Sequence, residues 1–424
     1  MYYLPTIENS DTLLTERAQA ALYKRYGDTP HEKITKRLKY ELDMIARHGY
    51  EAPYLIAWYI AKEAAKHEMN VMARLAAGDS FTAFLLGITG VNPLKPHYYC
   101  PGCKKVFFED ENCVDGYDLP GKNCPLCGSV MRGDGHDMPF ESFTGANGEE
   151  LPMFSLVTSP EFFYRATGVL QSLVSDCEIV RVIGYYRSKF GMKSHLKVGR
   201  LCFIPKDRMG IVPICEYKSR NRTVLAIEEK DAGEYLQMDI AAAEELCRGT
   251  INDEFDPCKM SYATVTDEFQ QKLEMSLPFF DIDSFKKTLI KYSPTCFSEF
   301  VKLLGLFYNC ELFKGAEELM DSQTVSLAQL PVCREDIYND FIKNGADKKE
   351  AYRIMKVVTQ AKTGRELPAD DFKRYGFPEW YYCFLNKAIE VCPKASIFSV
   401  PKAHLIANAK LEIMLKNSTQ EVNY

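Results

Sequence analysis

Two pairs of cysteines constrain the fold of this chain more than any other feature of its sequence. Cys100, Cys103, Cys124 and Cys127 follow the pattern C-x2-C-x20-C-x2-C, and each pair brackets a short turn, CPGC or CPLC. Such turns direct two sulfurs at one ion, and a tetrahedron closed by four thiolates is typical of structural Zn²⁺. The sequence therefore predicts a structural zinc site. Four unliganded core thiols are the alternative, which leaves the paired turns unexplained, and Cys113 is interpreted as a bystander.

The bulk composition indicates the class of protein. A chain of 424 residues with 46% hydrophobic and 26% charged residues is typical of a soluble globular protein with two or three domains. The start, MYYLPTIENSDT, lacks the basic and apolar regions of a secretory signal, and no apolar run reaches the roughly 20 residues of a membrane helix. Its 15 cysteines are then expected to be reduced thiols. We expect a cytoplasmic protein without a membrane partner.

The order of patterned segments predicts an α+β fold with four regions. Residues 1–95 contain apolar residues at helical spacing, and 96–150 carry the cysteines. Short β-like runs such as CEIVRVIGYY fill 151–255 and predict a mixed or antiparallel sheet. Residues 256–424 return to helical patterns punctuated by Gly and Pro. The segment 129–150, rich in Gly, Asp and Glu, is predicted to be loop.

Positive charge is concentrated in the predicted sheet. Residues 181–222 hold 11 Lys and Arg against Asp207 and Glu216, although the whole chain has a net charge of −6. These cations alternate with tyrosines, a pattern that suits a phosphate backbone with base stacking. A solvated surface with scattered cations is the alternative. The candidate nucleic-acid contacts are Arg181, Arg187, Lys189, Lys193, Lys197, Arg200, Lys218, Arg220 and Arg222.

The segments beside the cysteines resemble a known family. GITGVNPLKPHYYCPGC and GYDLPGKNCPLC, followed later by CREDIYNDFIKNG and FPEWYY, are similar to the polymerase core of the bacterial DNA polymerase III alpha subunit, PolC type. The resemblance covers about residues 16–415. It implies a mixed-sheet polymerase palm, a thumb-like zinc insertion at 96–150 and a mainly helical fingers-like domain. We expect palm and fingers only, without the family's nuclease, oligonucleotide-binding or clamp-binding parts.

The resemblance also implies metal-binding carboxylates that this sequence has lost. The family strand Pro-Asp-x-Asp-Leu matches LPMFSL, so Met153 and Ser155 stand at the two Asp positions. A thioether and a hydroxyl supply no negative charge to a hard cation such as Mg²⁺. Asp239, in QMDI, matches the third family carboxylate; the alternative is an ordinary solvated aspartate.

Two further family motifs are degraded. The triphosphate loop Gly-Ser-x-Gly-Ser-Ser corresponds to ARLAAGDS, in which Asp79 is expected to place a negative charge at the phosphate position. The fingers motif Pro-Lys-Ala-His is matched to residues 393–396, and the literal PKAH at 401–404 is interpreted as a chance repeat. The weak candidates for nucleotide binding are Arg74, Gly78, Ser80 and Lys394.

Three functions are open from the sequence. The first is a catalytically inactive PolC-type palm and fingers homologue that binds DNA or is an accessory to replication or repair proteins. The second is residual DNA-directed DNA polymerase or nucleotide-binding activity, which would require Mg²⁺ held by Asp239 and recruited acids among Glu149, Glu150 and Glu161. The third is a protein-binding scaffold. In all three, structural Zn²⁺ is the expected cofactor.

Overall fold

The computed structural model describes most of the chain. The described residues are 2–67, 69, 71–109, 113–158, 160–187, 193–219, 222–242, 282–308, 310–361, 366–391, 398 and 400–410. In chain order they form a set of N-terminal helices, a small four-cysteine unit (residues 97–134), a large sheet and a helical part (residues 282–410).

Three helices open the fold: α1 Ser10–Tyr26, α2 Glu32–His48 and α3 Glu51–Lys66. Helix α2 buries Ile34, Leu38 and Ile45, the apolar positions whose spacing predicts it. It ends at Gly49, whose φ of 66° is the left-handed conformation that glycine adopts readily after a helix. The two short helices α4 and α5 follow at Phe81–Leu85 and Glu141–Thr144.

The large sheet has seven strands in the order β1-β5-β10-β7-β6-β9-β8. The pairs β5/β10 and β6/β9 are parallel and the other neighbours are antiparallel, so the predicted mixed sheet is confirmed. Its strands are β1 Val71–Arg74, β5 Ser155–Thr158, β6 Cys177–Arg187, β7 Lys193–Pro205, β8 Ile214–Ser219, β9 Arg222–Glu228 and β10 Leu236–Ala242. Strand β1 comes from before the four-cysteine unit, so the sheet is assembled from chain on both sides of that unit.

The four-cysteine unit has its own antiparallel sheet in the order β3-β2-β4. Strand β4 and helix α5 both lie within 129–150, where the prediction of loop is wrong. The unit packs on the N-terminal helices, and Val106 joins a buried cluster with Leu22 of α1 and Leu38 of α2. The strands are β2 His97–Tyr99, β3 Val106–Phe107 and β4 Arg132–Asp134.

Helix α6, Pro160–Leu173, packs on the sheet through Phe162, Ala166 and Leu170, which are fully buried. The helical part has a separate large core. Its helices are α7 Ile282–Tyr292, α8 Phe297–Tyr308, α9 Cys310–Asp321, α10 Arg334–Lys343, α11 Lys348–Thr359, α12 Ala369–Arg374, α13 Glu379–Val391 and α14 at 402–410. Among the helices in these described ranges, none is long and apolar enough to cross a membrane.

Candidate functional site

The centre of the large sheet brings Ser155 and Asp239 together. Strand β5 runs parallel to β10, and their register sets Ser155 directly beside Asp239. The Ser155 Oγ donates a hydrogen bond of 3.1 Å to Asp239 Oδ2. The Asp239 backbone N–H donates to the Phe154 carbonyl at 3.0 Å. Ser155, which the resemblance places at a family aspartate position, is therefore in contact with Asp239, the residue that the resemblance matches to the third family carboxylate.

The rim of this site is apolar. Met153, at the other lost aspartate position, has 45% of its surface exposed, and Leu75 has 43% exposed. Leu75 follows Arg74, which lies opposite Ser155 in the antiparallel pair β1/β5. Leu75 also has a φ of 59°, the left-handed region in which a side chain costs about 1–2 kcal/mol. The loop thus keeps a conformation that suits the glycine of the family motif, although leucine has replaced it.

Two arginines bring positive charge to the same area. Arg200 lies opposite Asp239 on β7, and its guanidinium contacts Glu229 Oε1 at 2.5 Å and Gln237 Oε1 at 3.3 Å. Burial lowers the pKa of Arg181, and the negative charge of Asp239 opposes that shift. The electrostatic surroundings of Asp239 therefore disfavour a second cation beside it.

The residues at this site do not fit a pair of Mg²⁺ ions. Two-metal catalysis needs carboxylates that bridge the ions and balance their charge. Of the three family positions, Asp239 supplies a carboxylate, Ser155 a hydroxyl already bonded to it, and Met153 a thioether. Within the described part of the chain, the group of three or more His, Cys, Asp or Glu side chains that could hold a metal is the cysteine cluster.

The loop that corresponds to the family's triphosphate motif is buried. A Cβ built on Gly78 would lie 2.7 Å from the Ala403 Cβ, so this glycine permits a close approach of helix α14. Ser80 caps helix α4 by accepting from the Ala83 N–H at 3.2 Å, and it donates to Glu41 Oε2 at 2.9 Å. Gly78 and Ser80 thus pack against protein, and their role in nucleotide binding stays a prediction. The Arg74 side chain lies outside the described part.

The Asp79 side chain lies in the protein interior, and the charge that it would place at the phosphate position stays a prediction. It is fully buried, and the Ser142 hydroxyl donates a hydrogen bond to its carboxylate. Burial raises the pKa of Asp79 well above its ordinary value, and the neighbouring carboxylate of Glu335 adds to this shift while Arg334 opposes it. Glu335 lies in the first turn of helix α10, so two buried acids meet where the loop contacts the helical part.

The literal PKAH at 401–404 packs against this loop. The Lys402 backbone N–H donates to Glu335 Oε2 at 2.9 Å, and its Nζ donates to the His136 carbonyl at 2.8 Å. The Leu75 N–H donates to His404 Nδ1 at 3.4 Å. The first copy, with Lys394, lies outside the described residues. The second copy therefore lies beside the loop that corresponds to the triphosphate motif, and the match of the fingers motif to the first copy stays a prediction.

The four cysteines converge as their spacing predicts. Cys100 Sγ lies 3.4 Å from Cys127 Sγ, Cys103 Sγ lies 3.6 Å from Cys124 Sγ, and all four sulfurs lie within 4.8 Å of one another. Zinc bound by thiolates at about 2.3 Å requires sulfurs about 3.8 Å apart, so the cluster fits this ion. Cys113 is not a member, because its thiol donates to the Asp115 carbonyl at 3.0 Å.

The protonation of the thiols differs with their surroundings. Hydrogen bonds from Ser129 lower the pKa of the Cys127 thiol to about 6, whereas burial raises that of Cys100 to about 12. A thiolate is the metal-binding form of cysteine. Bound Zn²⁺ would supply the positive charge that keeps the buried thiolates deprotonated, and its role there is structural.

One side of the four-cysteine unit is anchored to helix α1 and to Thr29, which follows that helix. The Tyr99 hydroxyl donates to the Arg25 carbonyl at 3.1 Å, and the Lys105 Nζ donates to Thr29 Oγ1 at 2.6 Å. Arg25 Nη2 lies 3.0 Å from Asp134 Oδ2. Burial alone would raise the pKa of Asp134, but Arg25 and neighbouring polar groups outweigh burial and lower it. The anchor is therefore a partly buried ion pair whose two charges stabilise each other.

The other side of the unit is anchored to the helical part. The Asp118 carboxylate accepts hydrogen bonds from the backbone N–H groups of Phe297 at 2.7 Å and Ser298 at 3.2 Å. The Tyr117 ring meets the Phe297 ring edge to face at 5.0 Å. Asp118 thus caps the start of helix α8. Because Lys105 and Asp118 both lie between the two cysteine pairs, a metal that closes this loop holds both anchors.

The basic segment forms two antiparallel hairpins, β6/β7 and β8/β9. Arg187 lies opposite Lys193, Lys197 lies on β7, Lys218 lies on β8 and Arg222 begins β9. Among the candidate contacts, the arginine side chains that the structure describes are Arg181 and Arg200, which interact with the acids given above. Lys189 and Arg220 lie outside the described residues. Binding of nucleic acid by this segment stays a prediction.

Comparison with known proteins relates the chain to one enzyme family. The family model described as the bacterial DNA polymerase III alpha NTPase domain matches residues 12–156. The PolC-type DNA polymerase III of Thermotoga maritima is 29% identical over 95% of this chain, that of Thermotoga petrophila 30% over 95%, and that of Bacillus subtilis 27% over 97%. The matched regions are 33%, 33% and 32% of those proteins, so the chain spans about a third of their length.

Proposed function

Since this chain is similar to a region of PolC-type DNA polymerase III over 95% of its length, we propose that it keeps a palm and fingers framework without two-metal nucleotidyl transfer. It serves instead as a DNA-binding or accessory module in replication or repair. The observation that carries this proposal is the contact between Ser155 and Asp239. The strands that should present metal-binding carboxylates lie side by side, yet they present a hydroxyl, a thioether and one aspartate.

The geometry supports a loss of metal-dependent catalysis in a fold that is retained. Asp239 remains opposite Ser155 in a regular parallel pair, so the two matched positions are still adjacent. The positive charge of Arg181 acts on Asp239 and opposes that of an incoming divalent cation, whereas the charge of Arg200 is paired with Glu229. A single carboxylate bonded to a serine and flanked by arginines neither bridges two ions nor balances their charge.

Binding of DNA is proposed through the hairpin β6/β7. Its sequence supplies Arg187, Lys189 and Lys193 near the turn, and cations on a hairpin can follow a phosphate backbone. Replacing all three with alanine should weaken binding of a single-stranded oligonucleotide and reduce the slope of log K against log[salt] by about 0.7 per lost contact. Replacing the exposed Lys343, Lys349 and Lys373 with alanine is the matched control, because it removes the same number of positive charges. Unchanged binding in the triple variant would remove this part of the proposal.

A primer-extension assay tests the inactive palm. We expect no incorporation by the wild-type chain with Mg²⁺ or Mn²⁺, although the oligonucleotide is retained at low salt. Incorporation that Asp239→Ala abolishes would instead establish the residual polymerase, the second function open from the sequence. Absence of oligonucleotide retention even at low salt would favour the protein-binding scaffold.

A further inference from the structure

Strand β8 forms one edge of the large sheet. In the part of the chain that the structure describes, it pairs with β9 on one side and with no strand on the other. Cys215 and Glu216 of this strand are exposed, as is Ile211 just before it, with 74% of its surface accessible. An edge strand presents a row of backbone N–H and C=O groups that can pair with another chain.

The register of the hairpin β8/β9 shows which residues face the free side. Ser219 pairs with Arg222, so two residues separate the strands. In a hairpin of this length the closing pair exchanges both backbone hydrogen bonds, and every second pair along the ladder does the same. Ser219, Tyr217 and Cys215 therefore direct their backbone groups to β9. Glu216 and Lys218 direct theirs to the free edge.

The charges at these two outward positions are opposite. Many edge strands are protected by like charges that repel a second copy. Glu216 and Lys218 instead form a self-complementary pattern, since an antiparallel pairing centred on Tyr217 sets Glu216 of one copy opposite Lys218 of the other. The two-fold symmetry creates this pair twice, and opposite charges directly across a strand pair stabilise the pairing.

We propose that β8 is a self-association strand, through which two copies of this chain join their large sheets edge to edge. Each pair of Glu216 with Lys218 exchanges two backbone hydrogen bonds, because both residues direct their N–H and C=O groups outward. The exposed side chain of Leu225, opposite Glu216 in the hairpin, adds apolar surface near the junction. The interface is isologous and closes on itself as a dimer.

Charge reversal at the two positions tests the pairing. The full chain is examined by sedimentation over a range of concentrations, together with Glu216→Lys, Lys218→Glu and the double swap. Each single reversal creates two like-charge pairs and should raise the dissociation constant of the dimer at least tenfold. The double swap restores opposite charges and should restore the dimer. Lys349→Glu, at an exposed position on α11, is the control and should leave it unchanged.

Mixing the two single variants gives the most specific readout. The chain with two lysines meets the chain with two glutamates, so an equimolar mixture should form a heterodimer that neither variant forms alone. This restoration also shows that both variants are folded. A monomeric wild-type chain at about 100 μM, a dimer insensitive to both reversals, or a mixture that stays monomeric would each overturn the proposal.

Discussion

Replacing Asp118 with alanine should loosen the start of helix α8. The Asp118 carboxylate, in the loop between the two cysteine pairs, accepts from the N–H groups of Phe297 and Ser298. Phe297 itself is fully buried against Tyr117. The variant removes the acceptor and leaves two backbone donors at a helix terminus without their partner.

The expected magnitude follows from these contacts. Loss of an N-cap side chain costs about 0.5–2 kcal/mol, and a hydrogen bond to a charged group contributes about 1.5–3 kcal/mol. Burial raises the pKa of Asp118, as does neighbouring Asp115, which offsets part of the gain from the two bonds. We expect about 2 kcal/mol of local stability to be lost, which corresponds to about 25-fold faster opening of the first turn.

Hydrogen exchange measures this local effect. Peptides from residues 297–308 should exchange about 25-fold faster in Asp118→Ala than in the wild-type chain, while peptides from 348–359 should not change. Asp28→Ala, which removes an exposed carboxylate, is the control and should match the wild type in both regions. Equal exchange of 297–308 in the variant and the wild type would refute the assignment of Asp118 as the cap of α8.

Two further predictions concern the metal and a buried acid. Removing zinc with a chelator should speed hydrogen exchange in both α1 and α8 more than in α11, because Lys105 and Asp118 lie in the loop that the metal closes. Equal changes in exchange rate in all three helices would contradict this prediction. Asp79→Asn should stabilise the chain against urea at pH 8 more than at pH 5. The raised pKa means that folded Asp79 keeps a proton that the unfolded chain releases above about pH 4, so wild-type stability falls as pH rises. An increase in stability of Asp79→Asn that is equal at pH 5 and pH 8 would contradict this prediction.

Spacing alone predicted the parts of this fold that depend on local sequence. The four cysteines converge because both pairs lie in turns, and α2 is amphipathic with a glycine at its end. Helix α6 also has apolar residues at helical spacing, Phe162, Ala166 and Leu170. The β-like runs on both sides led to a prediction of strands for this region. Strand β1 has four residues and is stabilised by β5, about eighty positions later in the chain, so no local pattern marks it.

The candidate site depended on contacts between distant segments. Matching Asp239 to a family position identified the residue that the register sets beside Ser155. The burial of Asp79 could not be predicted, because it results from Glu335 and Ser142, which lie far away in sequence. The packing of Ala403 on Gly78 could not be predicted either, because it joins residues more than three hundred positions apart in the chain.

The loss of metal-binding carboxylates is tested most directly by titrating the zinc-loaded chain with Mn²⁺ and recording the electron paramagnetic resonance of the free ion. Asp239→Ala and the double variant Met153→Asp, Ser155→Asp are titrated in parallel. We predict that the wild-type chain and Asp239→Ala bind no stoichiometric Mn²⁺ below about 1 mM, while the double variant gains a site. A stoichiometric Mn²⁺ site in the wild-type chain that Asp239→Ala abolishes would contradict the account.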